Sequence, residues 1–467
     1  MTLIQNSPIV KVQSPTLHLY YYRLHHGINE STKVVQDRRT LFSENLNKIV
    51  ANLRSSTGKK GLDIVKLIPV EQEQDGTILD FANVPLECRK SNNDRLYFET
   101  GIIHSRLAAR RFNDTYILRL IRYVPAIQGE QSLELFENLS EHLNDLDVEL
   151  GQTVVFAGIL KNQSHSQPTD TIAAECLSNY YSQNIPTDEL IVNEFLDCPF
   201  YIYPQTVSVK KIDEYAIKST KLACVFLYKD ENVEKKADTF YNILQTLLLS
   251  YHKIIYFFSQ SLILENILHK QYEAIERLSE DYAQRKWDSL SMLKLPQESL
   301  DYYKRLSFLE DQVRLIEIHQ SNYRICIEEI EQKTGQKIPR FFADFENEIN
   351  RNLKQIKADI GFLNPGIQLY EKLMLSVQTQ ISINENVIRD RQAKLGQLLT
   401  GVGAAIAIGQ IVSQPMTNTL SLYIDKGKNQ PSVTSLWLGA LLTIALSLAI
   451  GYGISVKVYQ WFTKDKF

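Results

Sequence analysis

The sequence predicts an α+β domain followed by a long antiparallel helical stalk and two C-terminal transmembrane helices, and three observations carry that fold class. Aromatic and β-branched runs alternate with helix-forming stretches over the first 230 or so residues. Between Pro204 and Pro296 there is neither glycine nor proline, and apolar residues there recur at helical spacing. Charges are scattered through residue 394 and then nearly vanish in two blocks near the C-terminus. A length of 467 residues predicts about two to four domains. With 51 Lys+Arg against 54 Asp+Glu and a formal net charge of −3, the composition argues against a disordered chain and against a polycation of the kind that attracts nucleic acid.

The first domain, residues 1–230, reads as a cytoplasmic sensor unit. Its predicted strands are Leu17–Leu24, Asp63–Val70, Arg95–His104, Thr115–Val124, Thr153–Leu160 and Leu222–Tyr228, all rich in β-branched or aromatic residues. Helices are predicted over Glu30–Arg54, Ser132–Leu146 and Thr187–Leu196, with Lys161–Asp170 as an exposed loop. The pattern does not set the strand order.

Residues 231–394 form the predicted stalk. From about Glu231 to Ser289, Phe240, Leu244, Leu247, Tyr251, Ile255, Phe258 and Leu262 mark one helix. A second, Gln297–Lys333, follows the break at Pro296, and a third begins near Arg340. Asn364-Pro365-Gly366 interrupts the third, because proline removes a backbone donor and disfavours helix in the residue before it. From Ile367 no proline occurs before Gln414, so the last stalk helix is expected to enter the bilayer unbroken and act as a lever. A coiled-coil stalk with no such role fits the same imperfect heptads.

Residues 395–414 and 432–456 contain no charged residue, and each is long enough for a hydrocarbon core that needs about 20 helical residues. Trp437 at one end of the second span and Tyr459, Trp461 and Phe462 at the other suit the interfaces, as does Tyr423 on the connecting loop 415–431. Arg389, Arg391 and Lys394 precede the first span, and Lys457, Lys464 and Lys466 lie in the tail 457–467. The positive-inside rule then predicts a two-pass protein of the inner (plasma) membrane with both termini cytoplasmic. The first residues lack the basic and apolar regions of a cleaved signal peptide. Tyr241–Leu264 is also apolar, but Asn242, Gln245, His252, Lys253, Ser259 and Gln260 interrupt it, and it reads as a buried helix.

This order of parts resembles the CorA family of divalent-cation channels over nearly the whole chain. The resemblance implies a homopentamer whose first spans line a pore and whose second spans surround them. Most of that family carries Gly-Met-Asn at the outer end of the first span, whereas this chain reads Ser413-Gln414-Pro415-Met416-Thr417-Asn418. Asp425 faces Lys426 and Lys428 on the outer loop, which disfavours strict magnesium selectivity. Divergent members without the tripeptide include candidate effectors of prokaryotic (CRISPR-type) defence systems, in which a nucleotide second messenger acts on the cytoplasmic domain.

Gln397, Thr400, Ala404, Ala407, Ile411 and Gln414, with Gln410 nearby, share a face of the first span suited to a narrow, weakly polar pore. Pro415, Met416 and Asn418 would stand at its entrance. Gly396, Gly401, Gly403, Ala404, Ala405 and Gly409 equally suit close helix packing. In the first domain Arg106, Arg110, Arg111, Arg119 and Arg122 are candidates to bind a phosphate-bearing ligand, or form a solvated surface. On a strand, Arg119 and Arg122 should face opposite sides. Glu328, Glu329, Glu331, Asp344, Glu346 and Glu348 would hold regulatory divalent ions or line a wet helix face.

Five scattered cysteines without a CxxC pair argue against a disulfide framework or a cysteine zinc site. The pair His25-His26 and the lone His18 and His104 make no metal motif. No phosphate-binding loop, dinucleotide fingerprint or nucleophile elbow occurs, so no enzymatic activity and no cofactor are expected beyond a regulatory divalent cation or nucleotide. The expected partners are membrane lipid, further copies of the chain and a small nucleotide signal, with no direct nucleic-acid contact. Three functions remain open: a housekeeping ion channel or transporter gated by its cytoplasmic domain, a nucleotide-activated defence effector that permeabilises the membrane, and a membrane-anchored coiled-coil scaffold.

Overall fold

The computed structural model describes residues 10–27, 31–55, 65–81, 84–85, 88, 94–140, 143–160, 168–212, 215–286 and 289–383. Both charge-free segments, 395–414 and 432–456, lie outside the described residues, as do the loop and tail that flank them. In chain order the elements are β1 (Lys11–Leu24), α1 (Thr32–Ser55), β2 (Gly76–Thr77), β3 (Leu96–Thr100), β4 (Ile103–Phe112), β5 (Thr115–Tyr123), β6 (Glu130–Ser132), α2 (Leu135–Ser140) and β7 (Gly151–Ile159). There follow α3 (Thr169–Tyr181), β8 (Ile191–Phe195), β9 (Cys198–Ile212), β10 (Tyr215–Tyr228), α4 (Glu231–Ala283), α5 (Ser289–Thr334), α6 (Arg340–Leu363) and α7 (Pro365–Ile383).

The strands form one mixed sheet in the order β2-β4-β5-β1-β7-β10-β9-β8, with β3 beside β4 and β6 beside β1. β7 and β10 run parallel and the other neighbours antiparallel. Strand β1 lies near the middle, and Tyr20, Tyr21 and Tyr22 are all fully buried. Alternation along the strand sends them to opposite faces. Tyr20 and Tyr22 donate to the backbone carbonyls of Tyr241 and Gln245 on α4, at 3.2 and 2.7 Å. Tyr21 packs on Phe42 of α1 and its hydroxyl accepts from Asn45 at 2.9 Å. The sheet is therefore covered on both sides, which is why its central strand carries a continuous rather than an alternating apolar pattern.

Among the described residues α4 is long and apolar enough to cross a membrane, yet 72% of its most apolar window is buried inside the protein. His252 shows how it is held. The fully buried ring has Nε2 2.8 Å from Thr153 Oγ1 on β7 and Nδ1 2.6 Å from Thr220 Oγ1 on β10. One turn-neighbour, Lys253, pairs with Asp114 at the β4–β5 turn.

Several expected elements differ. Arg95–His104 is not one strand, because the chain turns at Gly101 (φ +56°) between β3 and β4. The described part of Asp63–Val70 holds only an isolated bridge, Leu67 to Leu79. Thr187–Leu196 is a short 3₁₀ turn and the edge strand β8, where pairing with β9 overrides the helix-forming composition. Ser132–Leu146 keeps only the short helix α2, and α3 begins at Thr169, inside the expected loop. Pro296 lies within α5 instead of starting it; buried Leu295, Ser299 and Tyr302 anchor the helix around the missing donor. The interruption expected at Asn364-Pro365-Gly366 occurs at Asn364, with Pro365 opening α7.

The chain divides into two units, Met1–Ile263 with Asp311–Ile356, and Leu264–Glu310 with Lys357–Phe467. The first holds the sheet, the start of α4, the end of α5 and most of α6; there Tyr251 packs on Phe345, and Tyr323 donates to the Phe342 carbonyl at 2.8 Å. In the second, Tyr302 packs on Tyr370 and donates to the Leu363 carbonyl at 2.6 Å.

Candidate functional site: an arginine-lined cavity on the sheet

One face of β4, β5 and β1, together with the start of α4, lines a cavity of about 810 Å³ that is open to solvent on one side. Its arginines follow from strand parity. On β4 the even-numbered residues Arg106, Ala108 and Arg110 face the cavity, and on β5 the odd-numbered Ile117, Arg119, Ile121 and Tyr123 do so. Ala108 pairs directly with Arg119, so the small side chain leaves room for Arg119 between Arg106 and Arg110 at the diagonal positions. Arg95, just before β3, completes the set.

Each guanidinium is oriented. Arg106 donates to the Tyr123 hydroxyl at 2.9 Å and lies 4.9 Å from the centre of that ring. Arg119 lies over Tyr20, 5.6 Å from its ring centre. Arg110 and Arg95 both bind Asp94, each at 2.8 Å. Arg106 and Arg119 make no ion pair among the described residues, and their buried Nε atoms have no hydrogen-bond partner. His18 on β1, only 5% exposed, also lines the cavity and stacks on Tyr241 with ring centres 3.9 Å apart. Its Nδ1 has no hydrogen-bond partner. Burial, aided by Arg119, lowers its pKa to about 3, which keeps the imidazole neutral at physiological pH.

The opposing wall belongs to α4 and carries Glu234, Asp238, Asn242 and Gln245. Four arginines thus meet two carboxylates across the cavity. Arg106 and Arg119, at diagonal register positions, partly buried and without an ion-pair partner, are suited to phosphate or carboxylate oxygens.

Of the five arginines singled out from the sequence, Arg106, Arg110 and Arg119 come together here. Arg111 and Arg122 do not, because each sits on the other face of its strand. Arg111 lies beside the fully buried carboxylate of Glu73, 3.9 Å away, which Arg39 binds at 2.7 Å and Tyr116 at 3.1 Å. Arg122 is buried and donates to the carbonyls of Asn138 and Leu139, both at 2.8 Å. Arg95, His18, Glu234 and Asp238 had no signal in the local sequence, since long-range pairing brings them to the site.

Four of the six acids singled out on α5 and α6 are engaged in local contacts. Glu329 pairs with Lys333 and Glu346 with Arg324, each at 2.6 Å, while Asp344 pairs with Arg340 at 3.0 Å and Glu331 accepts from the Ile338 amide. Among the described residues no group of three or more His, Cys, Asp or Glu is placed to hold a metal ion. The expected pore positions Gln397, Thr400, Ala404, Ala407, Gln410, Ile411 and Gln414, and the entrance residues Pro415, Met416 and Asn418, lie outside the described residues.

No family model and no curated protein matches the chain. A solved structure described as the full-length CmaX protein aligns over 68% of this chain and 92% of its own, at 11% identity and a TM-score of 0.19. A likeness of that size carries no argument about fold or function.

Proposed function

We propose that the chain is a subunit of a two-pass, homo-oligomeric ion channel of the plasma membrane, resembling CorA in its order of parts, whose α/β unit binds a phosphate-bearing small molecule that controls conduction. The cavity carries the ligand half of this reading: Arg106 and Arg119, partly buried and without an ion-pair partner, beside a histidine whose Nδ1 has no hydrogen-bond partner, favour an anionic oxygen-rich ligand. The charge-free segments 395–414 and 432–456 support the membrane half, together with the basic residues on their outer flanks. Helix α4 supplies continuity, since it lines the cavity in its first turns and runs on without a break to Ala283. A nucleotide signal of the kind used in defence fits the β4–β5 wall better than a bare divalent cation does, because Arg106 and Arg119, which have no ion-pair partner, repel cations there.

Reconstitution of the purified chain in dye-loaded liposomes tests the proposal. Ion flux that rises on adding nucleoside triphosphates or their cyclic derivatives, and a detergent-solubilised mass several times that of one chain, are expected. A monomer that passes no ions under any of these conditions would leave the membrane-anchored scaffold as the better reading.

A further inference from the structure

A site for a simple anion has no use for acids, yet Glu234 and Asp238 occupy the wall across from the arginines. They stand one helical turn apart on α4, with Asn242 the next turn along, so three polar side chains share one helix face toward the cavity. Neither carboxylate has an ion-pair or side-chain hydrogen-bond partner among the described residues. Burial pushes both carboxyls above the usual range; Arg106 and Arg119 pull Asp238 back only in part, and Asp238 itself adds to the rise at Glu234. The arginines of one wall thus act on Asp238 across the cavity without forming an ion pair with it.

We infer that the cavity takes a dipolar ligand, a phosphate-bearing molecule whose other end carries an amine or cationic group, with the phosphates on the arginines of β4 and β5 and the donor group on Glu234 and Asp238. The inference rests on the reading of the cavity as a phosphate site and names the rest of its ligand. Ionised carboxylates only accept hydrogen bonds, so the α4 wall is matched by N–H groups and mismatched by carbonyl oxygens. A pure polyanion meets repulsion from that wall, which makes Glu234 and Asp238 selective against it. The neutral His18 and the rings of Tyr123, Tyr228 and Tyr241 also line the cavity and offer an aromatic body apolar contact. A volume of about 810 Å³ suits a ligand of nucleotide size.

The test compares three probes on the full-length chain in detergent with EDTA present: tripolyphosphate, ATP and purine riboside triphosphate. The two nucleotides share their phosphates and differ at C6, where adenine donates from an amine and the purine carries only hydrogen. Wild type should bind ATP about tenfold tighter than purine riboside triphosphate. In the Glu234→Gln/Asp238→Asn double variant that gap should fall to about threefold or less, since a neutral amide oxygen accepts more weakly than a carboxylate, while tripolyphosphate binds as well as before or better. The variant's melting temperature should match or exceed wild type, because the removed charges are poorly compensated. Equal affinity of wild type for the two nucleotides, or a gap that survives the double substitution, overturns the inference. If none of the three probes binds wild type, the phosphate reading itself fails and takes this inference with it.

Discussion

Replacing Gly151 with alanine tests how α4 is seated on the sheet, and so how the acidic wall comes to stand across from the arginines. A Cβ at Gly151 would fall on Cγ and Nδ1 of His252, closer than real Cβ atoms approach. The ring cannot simply swing aside, because Thr153 and Thr220 hold its two nitrogens at 2.8 and 2.6 Å and the residue is fully buried. Overpacking costs about 1–3 kcal/mol, and orphaning one of the two buried hydrogen bonds about 1–3 kcal/mol more. The expected loss is about 2–6 kcal/mol, a large share of a typical folding free energy. Gly361, inside α6 with nothing within 4 Å of its would-be Cβ, should instead gain about 0.5–1 kcal/mol on the same change. Urea unfolding of the two variants measures the contrast. His252→Ala/Gly151→Ala should be markedly less destabilised than the sum of the singles, since the ring and the methyl compete for one space. A Gly151→Ala variant as stable as wild type, or strict additivity in the double, would refute this account of the docking.

The remaining predictions concern acid, a buried carboxylate, a buried hydroxyl and the pore. The pKa values of His18 and His252 are both lowered to about 3 by burial, so the folded state binds fewer protons than the unfolded state, and stability present above about pH 6.5 is lost as pH falls toward 3. The unfolding free energy from urea titration should therefore drop between pH 7.5 and 5.5 by about 1.4 kcal/mol per histidine, with a shallower slope in His252→Gln; a flat profile contradicts this. Glu73→Gln, which breaks the buried pair with Arg39, should cost about 2–4 kcal/mol by the same assay, and a neutral result would mean that Arg39 finds solvent. Tyr22→Phe removes a 2.7 Å bond to α4 and should cost about 1 kcal/mol. In liposomes, thiol reagents should block flux through Thr400→Cys and spare Leu399→Cys; the reverse pattern would rotate the first span relative to the face assigned from the sequence.

The helices were largely legible because long runs without glycine or proline leave the 3.6-residue period undisturbed. The reading of Tyr241–Leu264 as a buried helix rested on six interrupting polar residues, of which Lys253 pairs with Asp114 and His252 bonds Thr153 and Thr220. Strands read less well. β8 exposes Ile191 and Val192 on a sheet edge and buries Asn193 with Phe195, so its apolar residues do not mark its buried face, and β9 passes through Pro204. The arginine set was half legible. Parity separates Arg119 from Arg122 and Arg110 from Arg111, but only the β4–β5 register shows which parity points toward α4. Glu234 and Asp238 lie more than a hundred residues further along the chain, in a stretch whose sequence marks only a helix start.

Adjacent arginines on opposite faces of β4 give the most direct test of the central claim, that the cavity face binds a phosphate anion. Tripolyphosphate affinity would be measured by titration calorimetry on the full-length wild type and on Arg119→Gln, Arg110→Gln and Arg111→Gln. The account predicts that Arg119→Gln and Arg110→Gln each weaken binding about tenfold or more, the loss expected for a charge-assisted hydrogen bond, while Arg111→Gln binds as wild type does. Equal losses in all three variants, or a loss confined to Arg111→Gln, would contradict it.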